Sequence, residues 1–175
     1  MEESVYYKSV GAVVYMRATG HATALVCPPL KTAVFERLDT APKVEEIYLD
    51  LASCEYMDST FLGLIVGTQK RFAKALGDAG KGKSIVLIGV NEACKGLLRT
   101  IGVLGMVELV DEAVPFPPDM QRLSGEARSS ARFLLDAHEE LARLSDENKR
   151  RFAGLMSVLR NADDEEEGKS DRRGE

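Results

Sequence analysis

The alternation of strand and helix patterns in residues 46–90 constrains the fold more than any other feature of the sequence. In residues 46–51 (EIYLDL) every second side chain is apolar, which is typical of a strand with one buried face. The segment from Asp58 to Leu76 then places apolar side chains at the spacing of an amphipathic helix. Residues 84–90 (SIVLIGV) are apolar on both faces, as in a central strand. This order predicts a sheet with helices packed on it.

Residues 1–114 repeat this alternation, and we expect them to form one α/β domain with a mixed sheet. An apolar run at 11–18 predicts a strand that ends at the Gly20-His21 turn signal. The other predicted elements are an edge strand at 4–8, a helix from Pro28 that ends before Pro42, a helix capped by Asn91 that ends at Gly102, and a strand at 106–110.

A break at Pro115, Pro117 and Pro118 marks the end of this domain, because proline interrupts both helices and sheets. Residues 115–160 are predicted to form a helical extension, since beyond the prolines they are rich in Ala, Leu, Arg and Glu. Residues 161–175 contain seven acidic and three basic residues and are too polar to bury a surface. We expect them to form a disordered acidic tail.

The helical extension carries a heptad pattern that fits two structures. Ser145 is followed by two acidic residues and is suited to cap a new helix. The pattern therefore fits either one long helix or a helical hairpin. Such an extension would form a homodimer, contact a further partner, or pack back on the domain through its apolar face. The heptad positions are Ala127, Leu134, Leu141 and Leu155, with Asn148 at the remaining step.

Composition and charge argue against several functional classes. The net charge of −5 is concentrated in the tail, so the rest of the chain lacks the clustered Lys and Arg that nucleic-acid binding requires. No apolar run approaches the ~20 residues of a membrane span, and no secretory signal pattern is present, so we expect a cytoplasmic protein. Cys27, Cys54 and Cys94 form no C-x-x-C pair, which argues against a disulfide framework or a zinc cluster.

Two patterns of a ligand-binding type are weak. Gly77 to Ser84 satisfies the P-loop formula, which makes a nucleotide-binding protein a remote alternative. A helix is predicted before this segment and a strand after it, which is the reverse of a P-loop. His21 and His138 lack a second ligand at metal-binding spacing. We therefore expect no enzyme activity, no metal and no cofactor.

Asp58, Ser59 and Thr60 start the second predicted helix, and residues of these types are common helix caps. The position also suits phosphorylation, because a phosphate on Ser59 would add ~2 negative charges at the positive end of the helix dipole. Such a group would act mainly on a partner, through charge and bulk in a docking surface. The three residues by themselves do not decide between a cap and a switch.

The run from Tyr48 to Gly63 (YLDLASCEYMDSTFLG) resembles the signature of bacterial anti-sigma factor antagonists of the STAS domain family. Its usual form is L-D-L, a short loop, and D-S-[ST]-G-L-G. Residues 91–110 resemble the closing helix and strand of that family, so the resemblance covers about residues 8–112. It implies an α/β fold with a STAS-like mixed β-sheet and helices packed on it, followed here by the C-terminal helical extension.

The resemblance implies a partner-switching regulator that is not an enzyme. In this family the unphosphorylated antagonist binds an anti-sigma factor serine kinase, phosphorylation ends the binding, and a PP2C-type phosphatase restores it. Ser59 matches the phosphorylated serine, and Thr60 is a secondary candidate. The residues expected at the partner-binding surface are Asp58, Ser59, Thr60, Phe61 and Gly63.

Phe61 stands where the family commonly has glycine. A bulky ring at this position either restricts the approach of a kinase to Ser59 or supplies an apolar anchor for a different partner. The alternative function is therefore a non-phosphorylated STAS subunit of another assembly, such as a lipid-transport complex, a stressosome or a chemotaxis-linked scaffold.

Overall fold

The computed structural model describes residues 2–125 and 128–174, and its centre is a seven-stranded mixed sheet with the order β6-β5-β3-β2-β1-β7, in which β4 pairs with β2 beside this path. β2 is parallel to β3 and β4, and β3–β5 and β5–β6 are parallel pairs, whereas β1 is antiparallel to β2 and β7. The mixed α/β sheet predicted from the sequence is confirmed. The strands are β1 (Ser4–Val10), β2 (Val13–Ala22), β3 (Glu46–Asp50), β4 (Cys54–Met57), β5 (Val86–Ile88), β6 (Glu108–Val110) and β7 (Gln121–Leu123).

Side-chain caps define where most of the helices begin. Asn91 accepts a hydrogen bond from the Cys94 amide at the start of α3, and Ser145 accepts one from the Asn148 amide at the start of α5, as the sequence predicted. Gly102 ends α3 in a left-handed conformation that glycine adopts without strain. The helices are α1 (Cys27–Leu38), α2 (Ser59–Leu76), α3 (Glu92–Ile101), α4 (Ala131–Ala142) and α5 (Asp146–Arg173), with short 3₁₀ turns at Gly77–Gly80 and Leu104–Met106.

The prediction that the first long strand ends at Gly20-His21 is wrong. β2 continues to Ala22, and its register shifts between Gly20 and His21, where Gly20 has a φ of 66°. This irregularity lets β2 leave β3 and pair with β4, a strand that the sequence placed in a loop. The carboxyl ends of β2 and β4 therefore lie side by side, and the chain enters α2 from there.

The region after the prolines is not entirely helical. β7 (Gln121–Leu123) pairs with β1 and adds an edge strand to the sheet, which corrects the prediction of helix for these residues. Beyond it α4 and α5 form a helical hairpin, so the second of the two predicted forms is the one observed. Among the heptad positions, Leu141 and Asn148 are buried, Leu134 is half-buried, Leu155 is exposed although it lies on the same helix as Asn148, and Ala127 lies outside the described residues.

The prediction of a disordered acidic tail is contradicted, because α5 continues without a break to Arg173. Asp163 is buried and pairs with Arg132 of α4, and the Glu166 carboxylate accepts a hydrogen bond from the Ala131 amide at the start of α4. Acidic residues in this segment are therefore held by the positive end and the cation of the neighbouring helix. Within residues 2–125 and 128–174, no helix is both long and apolar enough to cross a bilayer.

Candidate functional site

Asp58 connects the two chain segments that leave the carboxyl ends of β2 and β4. Its Oδ1 accepts a hydrogen bond from the Phe61 amide at 2.9 Å and caps α2, while its Oδ2 accepts one from the Ala24 amide at 2.9 Å. The second bond ties the β2–α1 loop to the start of α2. Asp58 is thus a cap, as its residue type indicated, and it also fixes the loop beside Ser59.

Ser59 is the first residue of α2, is half-buried, and is hydrogen-bonded to the C-terminal hairpin. Its Oγ lies 2.8 Å from Nε2 of His138 on α4, and Nδ1 of His138 lies 2.7 Å from the carbonyl oxygen of Leu134. A carbonyl oxygen only accepts, so Nδ1 carries a proton, and in this tautomer Nε2 accepts the hydrogen of Ser59. His138 is 3% exposed, and its ring meets the Phe152 ring edge-on at 5.3 Å.

The structure does not expose the other residues predicted for the partner surface. Thr60 is 4% exposed and Phe61 is fully buried, so the prediction that the Phe61 ring anchors a partner is wrong for this conformation. The ring fills the core between the sheet and α1, beside Met16 and Leu30. Residue 61 follows the helix cap and points toward the sheet, which explains how a large ring fits there.

Gly63 is buried by α4 instead of facing a partner. A Cβ atom built on Gly63 would lie 2.3 Å from the Ala137 carbonyl oxygen and 2.8 Å from the Ala137 Cα. The two helix backbones touch at this point, because glycine leaves room for the approach. Ser59 and Gly63 thus lie on one face of α2, and the hairpin covers that face.

Two exposed apolar side chains flank the start of α2, and the sequence did not identify them. Leu25 in the β2–α1 loop is 66% exposed, and Tyr56 in β4 is 52% exposed. Leu25 adjoins Ala24, which binds Asp58, and Tyr56 lies two residues before Asp58. The one signal available for Tyr56 was an aromatic residue inside the loop of the signature run.

A cleft of about 360 Å³ lies between α1, α2 and α4, next to Gly63 but apart from Ser59 and His138. The Nζ of Lys31 stands 5.0 Å from the centre of the Phe133 ring within it. Across the cleft, Lys70 of α2 pairs with Glu140 of α4 at 2.6 Å. The cleft is bounded by the contacts that hold α4 on α2, so it is part of the hairpin interface.

The three thiols are buried and have little thiolate character at neutral pH. Burial, and secondarily the Asp58 carboxylate, raises the pKa of Cys27 far above its usual range. Burial and the neighbouring Cys94 raise the pKa of Cys54 to about 11, and burial also raises the pKa of Cys94. A thiol with a raised pKa is a poor nucleophile at neutral pH, which agrees with structural roles for these residues.

The P-loop formula at Gly77 to Ser84 has the context that the sequence predicted. α2 ends immediately before Gly77, and the next regular element is the strand β5, which begins at Val86. Gly77 and Gly82 have φ values of 56° and 81°, so the glycines make turns. A P-loop needs a helix that starts at its Lys-Ser pair and directs amides at phosphate, and a strand follows here instead.

Replacing Asp58 with alanine is expected to lower the free energy of unfolding by about 1–2 kcal/mol, because the cap of α2 and the Ala24 anchor are both lost. Urea unfolding followed by circular dichroism measures this. Asp78→Ala is the control, since Asp78 is 96% exposed and pairs only with a solvated lysine. Equal stabilities for the two variants would show that Asp58 does not organise this edge.

Comparison with known proteins places these features in a family context. Residues 6–111 match a family model described as "Mlab, STAS domain". Among solved structures, the unphosphorylated anti-sigma factor antagonist SpoIIAA is 13% identical with a TM-score of 0.49, and the match covers 62% of this chain and 89% of that one. The phosphorylated form from Bacillus is 14% identical with a TM-score of 0.46, over 61% of this chain and 92% of that one.

A putative anti-sigma factor antagonist from Thermotoga maritima is 25% identical with a TM-score of 0.49, over 61% of this chain and 85% of that one. A comparison with curated proteins finds no sequence that matches this chain. The family-model match spans more than half of the chain and contains Asp58, Ser59 and Gly63, whereas α4 and α5 lie outside it.

Proposed function

This chain belongs to the STAS domain family, and on that premise we propose that it is an anti-sigma factor antagonist controlled by reversible phosphorylation of Ser59. The observation that carries the proposal is the position of Ser59 as the first residue of α2, directly after the Asp58 cap. A phosphate there meets the positive end of an 18-residue helix. The domain can therefore hold the added charge without losing α2.

The proposed partners are an anti-sigma factor serine kinase, which binds and modifies the unphosphorylated protein, and a PP2C-type phosphatase, which removes the phosphate. Both act in the cytoplasm, where we place the protein. Ser59 is the better phosphate acceptor because its side chain is partly exposed, whereas Thr60 is only 4% exposed and faces the core. The chain itself supplies a binding surface and no catalytic group.

Leu25 and Tyr56 support a docking surface at this edge of the domain. Both are exposed apolar side chains beside Asp58, on the β2–α1 loop and on β4. Tyrosine is enriched at the centre of protein interfaces, and Leu25 adds exposed apolar area beside it. We propose that the kinase contacts these two residues together with Ser59.

Incubation with an anti-sigma factor serine kinase from the same organism and ATP is expected to place one phosphate on Ser59, located by mass spectrometry of peptides. Ser59→Ala should abolish the modification and keep the binding of the kinase, while Ser59→Asp should weaken that binding at least tenfold through its charge. Thr60→Ala is the control for the position of the phosphate. An unmodified Ser59 together with no complex would contradict the proposal.

A second candidate is a non-phosphorylated STAS subunit of another assembly, such as a lipid-transport complex, a stressosome or a chemotaxis-linked scaffold. The observation that favours it is the hydrogen bond from Ser59 to the buried His138, which gives the hydroxyl a structural partner. In that case the binding of the native assembly partner is the same for Ser59→Ala and Ser59→Asp. The two candidates therefore differ in the charge dependence of binding.

A homodimer through the C-terminal helices stays a prediction. The outer face of α5 carries two exposed apolar residues one turn apart, Leu155 (43% exposed) and Val158 (65% exposed). These are the side chains that such a dimer would bury.

A further inference from the structure

The hairpin of α4 and α5 lies over the residue that the proposed kinase has to reach. It contacts α2 through the Ser59–His138 hydrogen bond, the backbone approach of Gly63 to Ala137, and the Lys70–Glu140 ion pair. These three contacts cover the start, the middle and the later part of one face of α2. The family-model match ends at residue 111, so this cover lies outside the matched region.

We propose that the α4–α5 hairpin is a detachable cover of the α2 face, and that the docked hairpin and a phosphate on Ser59 exclude each other. The inference rests on the proposed function, because it concerns the regulation of the same serine. In the docked state the hydroxyl of Ser59 is bound to His138 and withheld from a kinase. In the released state the hydroxyl is free.

The Ser59 hydroxyl points at His138 while the hairpin is docked, so a phosphoryl group in that direction overlaps the ring. Nε2 of His138 lies 2.8 Å from the Ser59 oxygen, which is the distance of a direct hydrogen bond. Phosphorylation removes the hydrogen that Ser59 donates and places phosphorus and three oxygens in that direction. The His138 ring cannot retreat within α4, because Phe152 lies against it at 5.3 Å and Leu134 holds its Nδ1.

Charge adds to this conflict. The phosphate brings ~2 negative charges beside Asp58, whose two carboxylate oxygens are already engaged by the amides of Phe61 and Ala24. In the tautomer with the proton on Nδ1, Nε2 of His138 presents a lone pair to these charges, and the buried ring keeps water away from them on that side. Release of the hairpin moves the phosphate into water at the positive end of α2, which favours the open state.

The line of α2 that meets α4 carries small or charged residues at successive turns, namely Ser59, Gly63, Gly67 and Lys70. Phe61 of α2 is buried on another side of the helix, against the sheet and α1. Leu135, Leu141 and Phe152 of the hairpin are buried in the same core cluster as apolar residues of α2. Release of the hairpin therefore has an apolar cost, which the phosphate has to offset.

Reciprocity follows from linkage between the two events. If a phosphate on Ser59 favours the released hairpin, then release of the hairpin favours phosphorylation by the same factor in equilibrium terms. The open fraction also scales the apparent affinity of a partner that needs the α2 face. The docked hairpin thus lowers the apparent affinity of such a partner for this chain.

The test places phosphoserine at position 59 during translation of the full chain, so it needs no kinase. Hydrogen exchange measured by mass spectrometry follows the α4 amides (Ala131–Ala142) and, as a check on folding, those of β3 and β5. We expect the α4 amides to exchange at least tenfold faster than in the unmodified protein, while β3 and β5 stay protected. Unchanged or slower α4 exchange, as would follow from pairing of the phosphate with a protonated His138, overturns the proposal.

Phosphoserine at Ser53 is the matched control, because Ser53 is exposed and precedes the same helix by six residues. It should leave α4 exchange unchanged, and equal acceleration by both modifications overturns the proposal. If the Ser59-modified protein loses exchange protection in β3 and β5 as well, Ser59→Ala is used in its place. This variant removes the hydrogen bond to His138 without adding bulk. We expect it to accelerate α4 exchange about threefold or more, and no acceleration counts against the cover.

The kinase experiment and the hydrogen-exchange experiment test different claims, so one can fail without the other. A protein whose Ser59 is never phosphorylated by a kinase, but whose hairpin is released by installed phosphoserine, refutes the proposed function and keeps the mutual exclusion. Phosphorylation of Ser59 with a hairpin that stays docked refutes the cover and keeps the proposed function.

Discussion

Replacement of Gly63 by alanine is expected to lower the free energy of unfolding by about 2–3 kcal/mol, although alanine is the better helix former. The added Cβ would lie 2.3 Å from the carbonyl oxygen of Ala137 and 2.7 Å from its carbonyl carbon, and a backbone cannot rotate away as a side chain can. α4 has to move outward, which weakens the Ser59–His138 hydrogen bond as well. Urea unfolding followed by circular dichroism gives the free energy.

Gly67→Ala is a matched control on the same face of the same helix, one turn later. A Cβ there would meet only side-chain atoms of Glu140 and Phe35, both at 3.8 Å, which is ordinary contact. Alanine at this position is therefore expected to leave the stability unchanged or to raise it by about 0.5–1 kcal/mol, the usual gain over glycine in a helix. If both variants were equally stable, the close approach of α4 to Gly63 would be refuted.

Replacement of Asn148 by aspartate is expected to cost about 2–4 kcal/mol, because it changes a donor into a charged acceptor at a buried site. Asn148 is 1% exposed, and its Nδ2 donates to the carbonyl oxygens of Ile101 and Leu141, both at 2.8 Å. A carboxylate oxygen in that place would face two carbonyl oxygens. Arg151 donates to Oδ1 at 2.6 Å, so it would pair only with the carboxylate oxygen that does not face the two carbonyls.

Asn161→Asp is the control, since Asn161 lies on the exposed side of α5 and the chemical change is the same. Its effect is expected to stay within about 0.5 kcal/mol, as for most surface substitutions. The loss at Asn148 should shrink as the pH falls, because the buried carboxyl is protonated more readily in the folded than in the unfolded state. A pH-independent loss, or equal losses at the two asparagines, would contradict the assigned hydrogen bonds.

Both substitutions probe the attachment of the hairpin, from opposite sides. Gly63 belongs to the family domain and receives α4, whereas Asn148 belongs to the hairpin and ties its turn to the end of α3. The contact at Ile101 explains why the heptad position of Asn148 is polar and buried. A hairpin anchored at this turn can leave the α2 face while it stays connected to the domain.

Much of the domain was predictable from the sequence. The period-two pattern of β3, the amphipathic pattern of α2 and the caps Asn91 and Ser145 all led to the observed elements. The predictions failed at β4 and β7, which have four and three residues and form only because a neighbouring strand pairs with them. β5 is as short as β7 but lies in an apolar run, whereas β4 and β7 each contain two exposed residues and carry no such run.

The sequence by itself determined the family, the start of α2 at Asp58-Ser59, and the candidate role of Ser59, because these depend on residues close together in the chain. Only the tertiary structure decided what surrounds that serine. Its hydrogen-bond partner His138 lies 79 residues away, and the face of α2 that α4 covers follows from packing between distant segments. Local periodicity shows which helices form, whereas the closeness of two helix backbones at Gly63 depends on both surfaces at once.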